Sequence, residues 1–551
     1  MGVTMLAGDT QELRKARGAF FTPDELCRYV VDWAIRDGSE DVLEPSCGEA
    51  AFLVAAAKRL DQLQVAEGGR LAGVELHAGS SAHAASLVRA AGRRAEITTA
   101  DFFTVQPEPS FSAVVGNPPY VRYQDFAGEA RALSQRAALA AGVPLTGLAS
   151  SWAAFTVHSA LFLRPGGRLG LVLPAELLTV NYAAPVRRFL LERFARVRLV
   201  LFTERVFPEV QEEVVLLLAE GYGQSPSGVC ELHQVHNAES LARGMGVAHR
   251  WTPKPSSGKW TASMLSAEAL KAFTSTTEDG DEFTTLEAWG DTTLGMVTGN
   301  NKYFTLTPAR AKELRLPPRE LLPISPPGSR HLRSLTFSGA DWSRLGRDGA
   351  PTLLFRPAGK PSAAAAAYIA QGEVADVSSA YKCRVRKPWW RVPLVQPADL
   401  FLTYMNADAP RLCDNMRSAF HLNSVHGVYL KDEVRSLGKA LLPLASLSSA
   451  TLVGGETVGR AYGGGMLKLE PREADRLPLP SPALLNQAQP RLESVRPQLT
   501  ALTQAGQLLD ASRVVDDVLL RGELGMRPGE ISLLREAHRT LMNRRKARGK
   551  S

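Results

Sequence analysis

Four consecutive residues, Asn117, Pro118, Pro119 and Tyr120, combine groups suited to holding a flat, amine-bearing ring. The Asn117 carboxamide offers a carbonyl acceptor and an NH2 donor. Its oxygen can accept one hydrogen of an exocyclic amine, and the Pro118 carbonyl can take the other. Tyr120 can stack on the ring. Two prolines fix their own φ and cannot continue a sheet ladder, so the chain leaves the preceding segment rigidly. That segment, Ala113-Val114-Val115-Gly116, is an apolar run that reads as a buried strand. In open α/β sheets, ligands bind at the carboxyl ends of the strands. The plain alternative is a strand followed by a proline-rich loop. What lies upstream decides between the two.

Gly18-Ala19-Phe20-Phe21-Thr22-Pro23 precedes a helical pattern, with Thr22 expected as N-cap, Pro23 at N1 and Asp24 and Glu25 in the first turn. Asp41-Val42-Leu43-Glu44 reads as a strand. Pro45-Ser46-Cys47-Gly48-Glu49-Ala50 then turns into a second helix, as in a nucleotide-type first βα turn. Leu71 to Leu76 reads as a second strand ending in Glu75, where an acid commonly meets ribose hydroxyls. A third strand runs over Ile97 to Phe103 and includes Asp101 and Phe102. Ser151–Ala160 has helical character, Leu163–Arg168 reads as a helix stop and turn, and Leu169–Pro174, Val197–Phe202 and Val214–Leu218 read as strands. His158 falls on the apolar face of its helix and is expected to be packed.

The order FFTP, EPSCG, VEL, ADFF, GNPPY resembles the S-adenosylmethionine-dependent DNA amino-methyltransferases of the γ-type N6-adenine family, in restriction-modification or orphan form. The resemblance implies a Rossmann-like class I methyltransferase domain (α/β, mixed and mostly parallel sheet) over residues 1–222. A mixed α+β DNA target-recognition domain over 223–483 and a helical segment with a basic tail over 484–551 would follow. It implies that Phe21, Thr22 and Pro23 close over the methionine end of S-adenosylmethionine and that Glu44, Pro45, Ser46, Cys47 and Gly48 form the cofactor turn. Glu75 and Leu76 would meet the ribose, Asp101 would accept from the adenine amine, and Phe102 would pack on its ring. Asn117 to Tyr120 would form the catalytic loop beside the cofactor. Phe207, in Val206-Phe207-Pro208, would sandwich the target base against Tyr120; a core aromatic under a loop is the other reading of Phe207. One departure is Ala50, where the family has a second glycine. An alanine there is expected to keep φ negative.

The rest of the chain is less telling. At 551 residues it is too long for one core. Gly223–Gly228 reads as a linker. Gly295, Thr298, Gly299, Asn301 and Phe304 fill a turn similar to one in target-recognition modules, and Ala461–Pro471 resembles a segment that closes them. Lys382, Arg384, Arg386, Lys387 and Arg391, with Trp389 and Trp390, form a stretch from Tyr381 to Arg391 with five basic residues and no acid. This suits a phosphate backbone and base edges, or else a charged edge strand. Arg544, Arg545 and Lys546 begin a basic tail that either touches DNA or frays.

The net charge of +8 leans toward polyanions. Five scattered cysteines support neither a zinc site nor a disulfide framework, and Cys47 is misplaced for a cysteine nucleophile. No apolar run of about 18 residues and no signal-type N-terminus appear, so a cytoplasmic protein without membrane contact is expected. The expected partners are duplex DNA and a cognate restriction endonuclease, with the chain monomeric. Adenine N6 is the first target and cytosine N4 the second, since both bases present the same amine. RNA- or protein-directed methylation and a non-catalytic DNA-binding module are the readings from other classes.

Overall fold

The computed structural model describes residues 22–65, 68–204, 206, 213–244, 248–253 and 258–548. The chain divides into two compact units, Met1–Met264 and Leu265–Ser551.

The first unit carries one nine-stranded sheet. Its strands are β1 (Val42–Glu44), β2 (Leu71–Glu75), β3 (Ala95–Thr99), β4 (Phe111–Gly116), β5 (Leu163–Pro174), β6 (Phe194–Phe202), β7 (Val214–Tyr222), β8 (Cys230–Val235) and β9 (His249–Trp251). Their order is β3-β2-β1-β4-β5-β7-β6-β8-β9. Strands β1 to β5 pair in parallel. β7 is antiparallel to both β5 and β6, β8 is parallel to β6, and β9 is antiparallel to β8. This is the mixed, mostly parallel sheet expected from the sequence. Every residue of β4 is buried, which is why its sequence is apolar apart from Ser112 rather than alternating.

Helices α1 (Asp24–Ala34), α2 (Ala51–Gln62), α3 (Ala78–Ala90), α4 (Gly128–Ala140) and α5 (Ser151–Ala160) belong to this unit. α1 buries Leu26, Cys27, Val30, Val31 and Ala34, a stripe at helical spacing. Burying each of its larger apolar side chains contributes roughly 1.5–3 kcal/mol. β1 has β2 on one side and β4 on the other. The strand order reverses there, and the carboxyl ends of β1 and β4 flank the crevice in which such sheets bind ligands.

Three expectations need correction. Leu163–Arg168 is strand rather than a helix stop: β5 begins at Leu163, opposite Phe111, and a register shift absorbs the extra residues. Gly223–Gly228 is a loop inside the first unit, not a linker between units. Gly223 and Gly228 take φ of 73° and 67°, and the chain then re-enters the sheet as β8. The third correction concerns the helical C-terminus, which shares the core of the second unit. Leu485, Leu492, Leu499, Leu508 and Val515 pack in one cluster with Leu400, Leu402 and Val428 of the sheet. Leu441, Leu442 and Leu444 of the helix Arg435–Ala445 lie in the same cluster, so 484–551 is not set apart from the residues before it.

The second unit is a mixed α+β assembly. Gly290–Leu294, Val425–Leu430, Leu400–Thr403 and Leu412–Asp414 form a four-stranded antiparallel sheet in that order. Phe283–Thr285 pairs with Pro478–Pro480, and helices span Pro482–Gln504, Leu508–Asp516 and Pro528–Arg548. Among the described residues, no single helix is long and apolar enough to cross a membrane.

Candidate active site

The turn after β1 is built by carboxylates that collect backbone N–H groups. Glu44, at the end of β1, is buried, and its Oε2 accepts from Leu53 N at 3.0 Å. It thereby satisfies one of the orphan donors at the start of α2. Burial pushes its carboxyl well above the usual range, opposed by the N–H groups of Leu53 and Phe52. Glu75, at the end of β2, accepts from Gly48 N and His77 N, each at 3.0 Å. The two acids pin the turn to the ends of both strands. Ala50 lies in the left-handed region, with φ 58° and ψ 31°. The expected negative φ is therefore wrong: the backbone of the turn dictates the conformation, and the alanine bears the strain. Gly48, with φ 46°, has open space where a side chain would sit.

Beneath the turn lies a cavity of about 410 Å³. Thr22, Glu44 to Glu49, Glu75, Leu76, Asp101, Phe102 and Asn117 line it, together with Pro119, Phe126 and Phe155. Asp101 falls just past β3 rather than within it, and its Oδ1 accepts from Phe103 N at 2.9 Å. Phe102 stacks between Phe155 (centroids 5.4 Å apart) and Phe162 (5.3 Å). His158 is packed beneath, its Nε2 at 3.2 Å from the Phe102 and Val105 carbonyls; burial lowers its pKa. Cys47 is buried, and burial raises its thiol pKa, which disarms it as a nucleophile.

Asn117 follows β4 and reaches the same cavity. Its Nδ2 donates to Thr22 Oγ1 at 3.1 Å, and its Oδ1 accepts from the Tyr120 hydroxyl at 2.5 Å. Thr22 is thus not the N-cap of α1. Pro23 holds that position without a side-chain cap, and the threonine hydroxyl is spent on Asn117. Tyr120 is buried, and its hydroxyl also lies 3.0 Å from the Val172 carbonyl. Neither Tyr120 nor Pro118 is among the cavity-lining residues. Ser151, at the start of α5, donates to the Pro119 carbonyl, accepts from Val121 N at 2.9 Å and donates its own N–H to Val121 O at 3.0 Å. It fixes the exit of the loop. Ser151, Phe126 and Phe155 escaped the sequence reading, although the spacing of Ser151 and Phe155 on one helix face was available. Phe21 and Phe207 lie outside the described residues.

Two family descriptions match complementary parts of the chain: "N-6 DNA Methylase" over residues 4–224, and "Type II methyltransferase M.Eco57I, C-terminal domain" over residues 257–520. Together they support an S-adenosylmethionine-dependent DNA amino-methyltransferase. The Type II methyltransferase M.XamI of Xanthomonas campestris pv. amaranthicola is 26% identical over 84% of this chain and 85% of its own length. M.AccI of Acinetobacter calcoaceticus is 21% identical over the same shares of each chain. Among solved structures, the Type IIL restriction-modification enzyme MmeI in complex with DNA matches with a TM-score of 0.52 at 12% identity, over 97% of this chain and 80% of its own; the likeness is one of fold.

In the second unit of this methyltransferase, the residues expected to meet DNA divide into two groups. Lys382, Arg384 and Lys387 are exposed. Arg386 instead donates from Nη1 to the Thr298 carbonyl at 2.7 Å and from Nη2 to the Val297 carbonyl. Trp390 is buried, with the Arg391 guanidinium 5.4 Å from its ring centroid. Trp389 packs on Tyr303 (5.6 Å) and donates to Glu373 at 3.2 Å. The segment is a short helix, Tyr381–Arg384, followed by turns, and not an edge strand. Arg545 of the basic tail is buried against Glu456, 2.7 Å away, and is not presented to a ligand.

Proposed function

We propose that this methyltransferase methylates N6 of an adenine flipped out of duplex DNA. A base inside the stack cannot present its amine to a cavity of this kind, so extrusion is required. The observation that carries the reading is the placement of Asn117. Its amide lies in the cavity behind the β1 turn, and hydrogen bonds from both ends of the amide fix its orientation. With Nδ2 committed to Thr22, Oδ1 is the group left to face an amine. Tyr120 occupies one acceptor direction of that oxygen, and a carbonyl has two. The second, with the Pro118 carbonyl, takes the hydrogens of the base amine and leaves its lone pair available. The Tyr120 ring stacks on the base once uncovered, and Phe207 takes the opposite face.

The donor set fits S-adenosylmethionine. Glu75 offers acceptor capacity to ribose hydroxyls, Asp101 accepts from the adenine amine, and Phe102 and the exposed Leu76 contact the ring. The open space over Gly48 admits a close approach, and we assign the methionine end to Phe21, Thr22 and Pro23. When bound, the cofactor supplies an electrophilic methyl group on a good leaving group. The protein's task is therefore positioning and electrostatics. Duplex DNA is the partner, read by the second unit. The Type II methyltransferases among its relatives support a cognate restriction endonuclease, and the chain acts as a monomer.

The test is to incubate the protein with duplex DNA and methyl-labelled S-adenosylmethionine, digest to nucleosides and identify the labelled one. N6-methyladenine is expected. Label in N4-methylcytosine alone would replace the adenine reading with the cytosine one. Label in RNA or protein alone would remove DNA as the substrate.

A further inference from the structure

Two large apolar side chains of the second unit stand out of the surface within five residues of each other. Tyr381 is 63% exposed and Val385 is 61% exposed. They are framed by Lys382, Arg384 and Lys387, all exposed. The Lys382 and Arg384 cations each lie 5.5 Å from the Tyr381 ring centroid. No carboxylate lies within ion-pair distance of these three cations among the described residues. By contrast, the exposed Arg310 and Arg344 of this unit are paired, with Glu313 and Asp341 respectively.

The segment is rigid where it meets the protein. Cys383 is fully buried and Trp390 nearly so, both in the core cluster with Tyr303 and Phe304. Arg386 ties the segment to the Val297 and Thr298 carbonyls. Gly299, at φ 90°, brings the turn so close that a Cβ would stand 3.1 Å from Cys383 Sγ and from Lys382 Cβ. A ridge clamped on one side, and presenting bare apolar groups between unpaired cations on the other, is complementary to a groove edged by phosphates and floored by bases.

We propose that the Tyr381–Lys387 ridge is the DNA-reading element of this enzyme. Lys382, Arg384 and Lys387 contact phosphates, Tyr381 and Val385 contact base edges, and Arg386 holds the ridge in place without touching DNA. The proposal rests on duplex DNA being the substrate. Two variants of the full chain separate the roles: one with Lys382→Ala, Arg384→Ala and Lys387→Ala, the other with Tyr381→Ala and Val385→Ala. Thermal melting confirms that each is folded. DNA affinity is measured against salt by fluorescence anisotropy, and the methylated sites by single-molecule sequencing. The triple variant should flatten the slope of log K against log[salt] by about 0.9 per cation removed while methylating the same sequence. The double variant should keep the slope and relax the sequence at adjacent positions. An unchanged slope in the triple variant overturns the phosphate role. An unchanged target sequence in the double variant overturns the reading role. Wild-type protein that methylates no DNA would instead overturn the reading on which the proposal rests.

Discussion

The two units use their chemistry-bearing residues in opposite ways. In the first, polar side chains from four strand ends converge on one cavity, and most do two jobs. Glu44 and Glu75 satisfy backbone donors of the turn while lining the space beside it. Thr22 and Tyr120 bind Asn117 rather than solvent. In the second unit, one basic stretch is split between support and surface: Arg386, Trp389 and Trp390 build the fold, while Lys382, Arg384 and Lys387 do not. A chemical step demands convergence, whereas reading a long polyanion demands display. The contrast teaches that residue type alone does not tell a functional cation from a structural one.

The largest expected effect is in the first unit. Asn117→Ala should lower the methyl-transfer rate by roughly 10²–10³-fold, the scale of losing one preorganised polar contact at a reacting group. Equilibrium binding of S-adenosylmethionine should change only a few-fold. A parallel collapse of cofactor binding would mean that Asn117 serves the turn rather than the acceptor. Next comes Arg386→Ala in the second unit, which removes two charge-assisted hydrogen bonds to backbone carbonyls. It should cost about 2 kcal/mol in denaturant unfolding, against less than about 0.5 kcal/mol for Lys387→Ala. Equal effects of the two would erase the division between support and display.

Much of this was legible in the sequence where a strand ends in a turn with one dominant conformation. β4 and the Asn117–Tyr120 loop, and β2 with Glu75, are such places. What sequence could not supply is how a side chain's hydrogen-bonding capacity is spent. Thr22 has the composition of an N-cap, yet its hydroxyl goes to Asn117. Tyr120 has the face for stacking, yet it is buried with its hydroxyl engaged. Glycine and serine between β7 and β8 look the same in a loop within a sheet as in a linker, which is why the sequence reads as a boundary at 222 while the first unit runs on to Met264. The leucines after 484 predict helices, but not that they share a core with the helix Arg435–Ala445 and with Leu400, Leu402 and Val428 of the sheet.

A pH series probes the second unit's core. Burial lowers His331, His421 and His538 to about 4. The unfolded chain binds these protons near the ordinary value of about 6.5. Between the two values the unfolded state holds more protons, so stability rises with pH through that window and is lost as pH falls. Each histidine contributes up to about 1.4 kcal/mol per pH unit there. Both ring nitrogens of His421 are buried without a hydrogen-bond partner among the described residues. His421→Leu should therefore make the decline in melting temperature between pH 6.5 and 5 shallower; an unaltered slope would remove His421 from the account. The smallest effect belongs to the cofactor turn. Ala50→Gly should relieve left-handed strain worth about 1 kcal/mol and raise the melting temperature slightly. A loss of stability would mean that the alanine's contacts outweigh its strain.

The central claim is that Asn117 presents an adenine amine for methylation within the first unit's cavity. Single-molecule sequencing of DNA from cells expressing the wild type or Asn117→Ala tests it most directly. The account predicts modified adenines at one recurring short sequence in the wild type and none in the variant. Modification confined to cytosine, or adenine modification that persists in the Asn117→Ala cells, would contradict it.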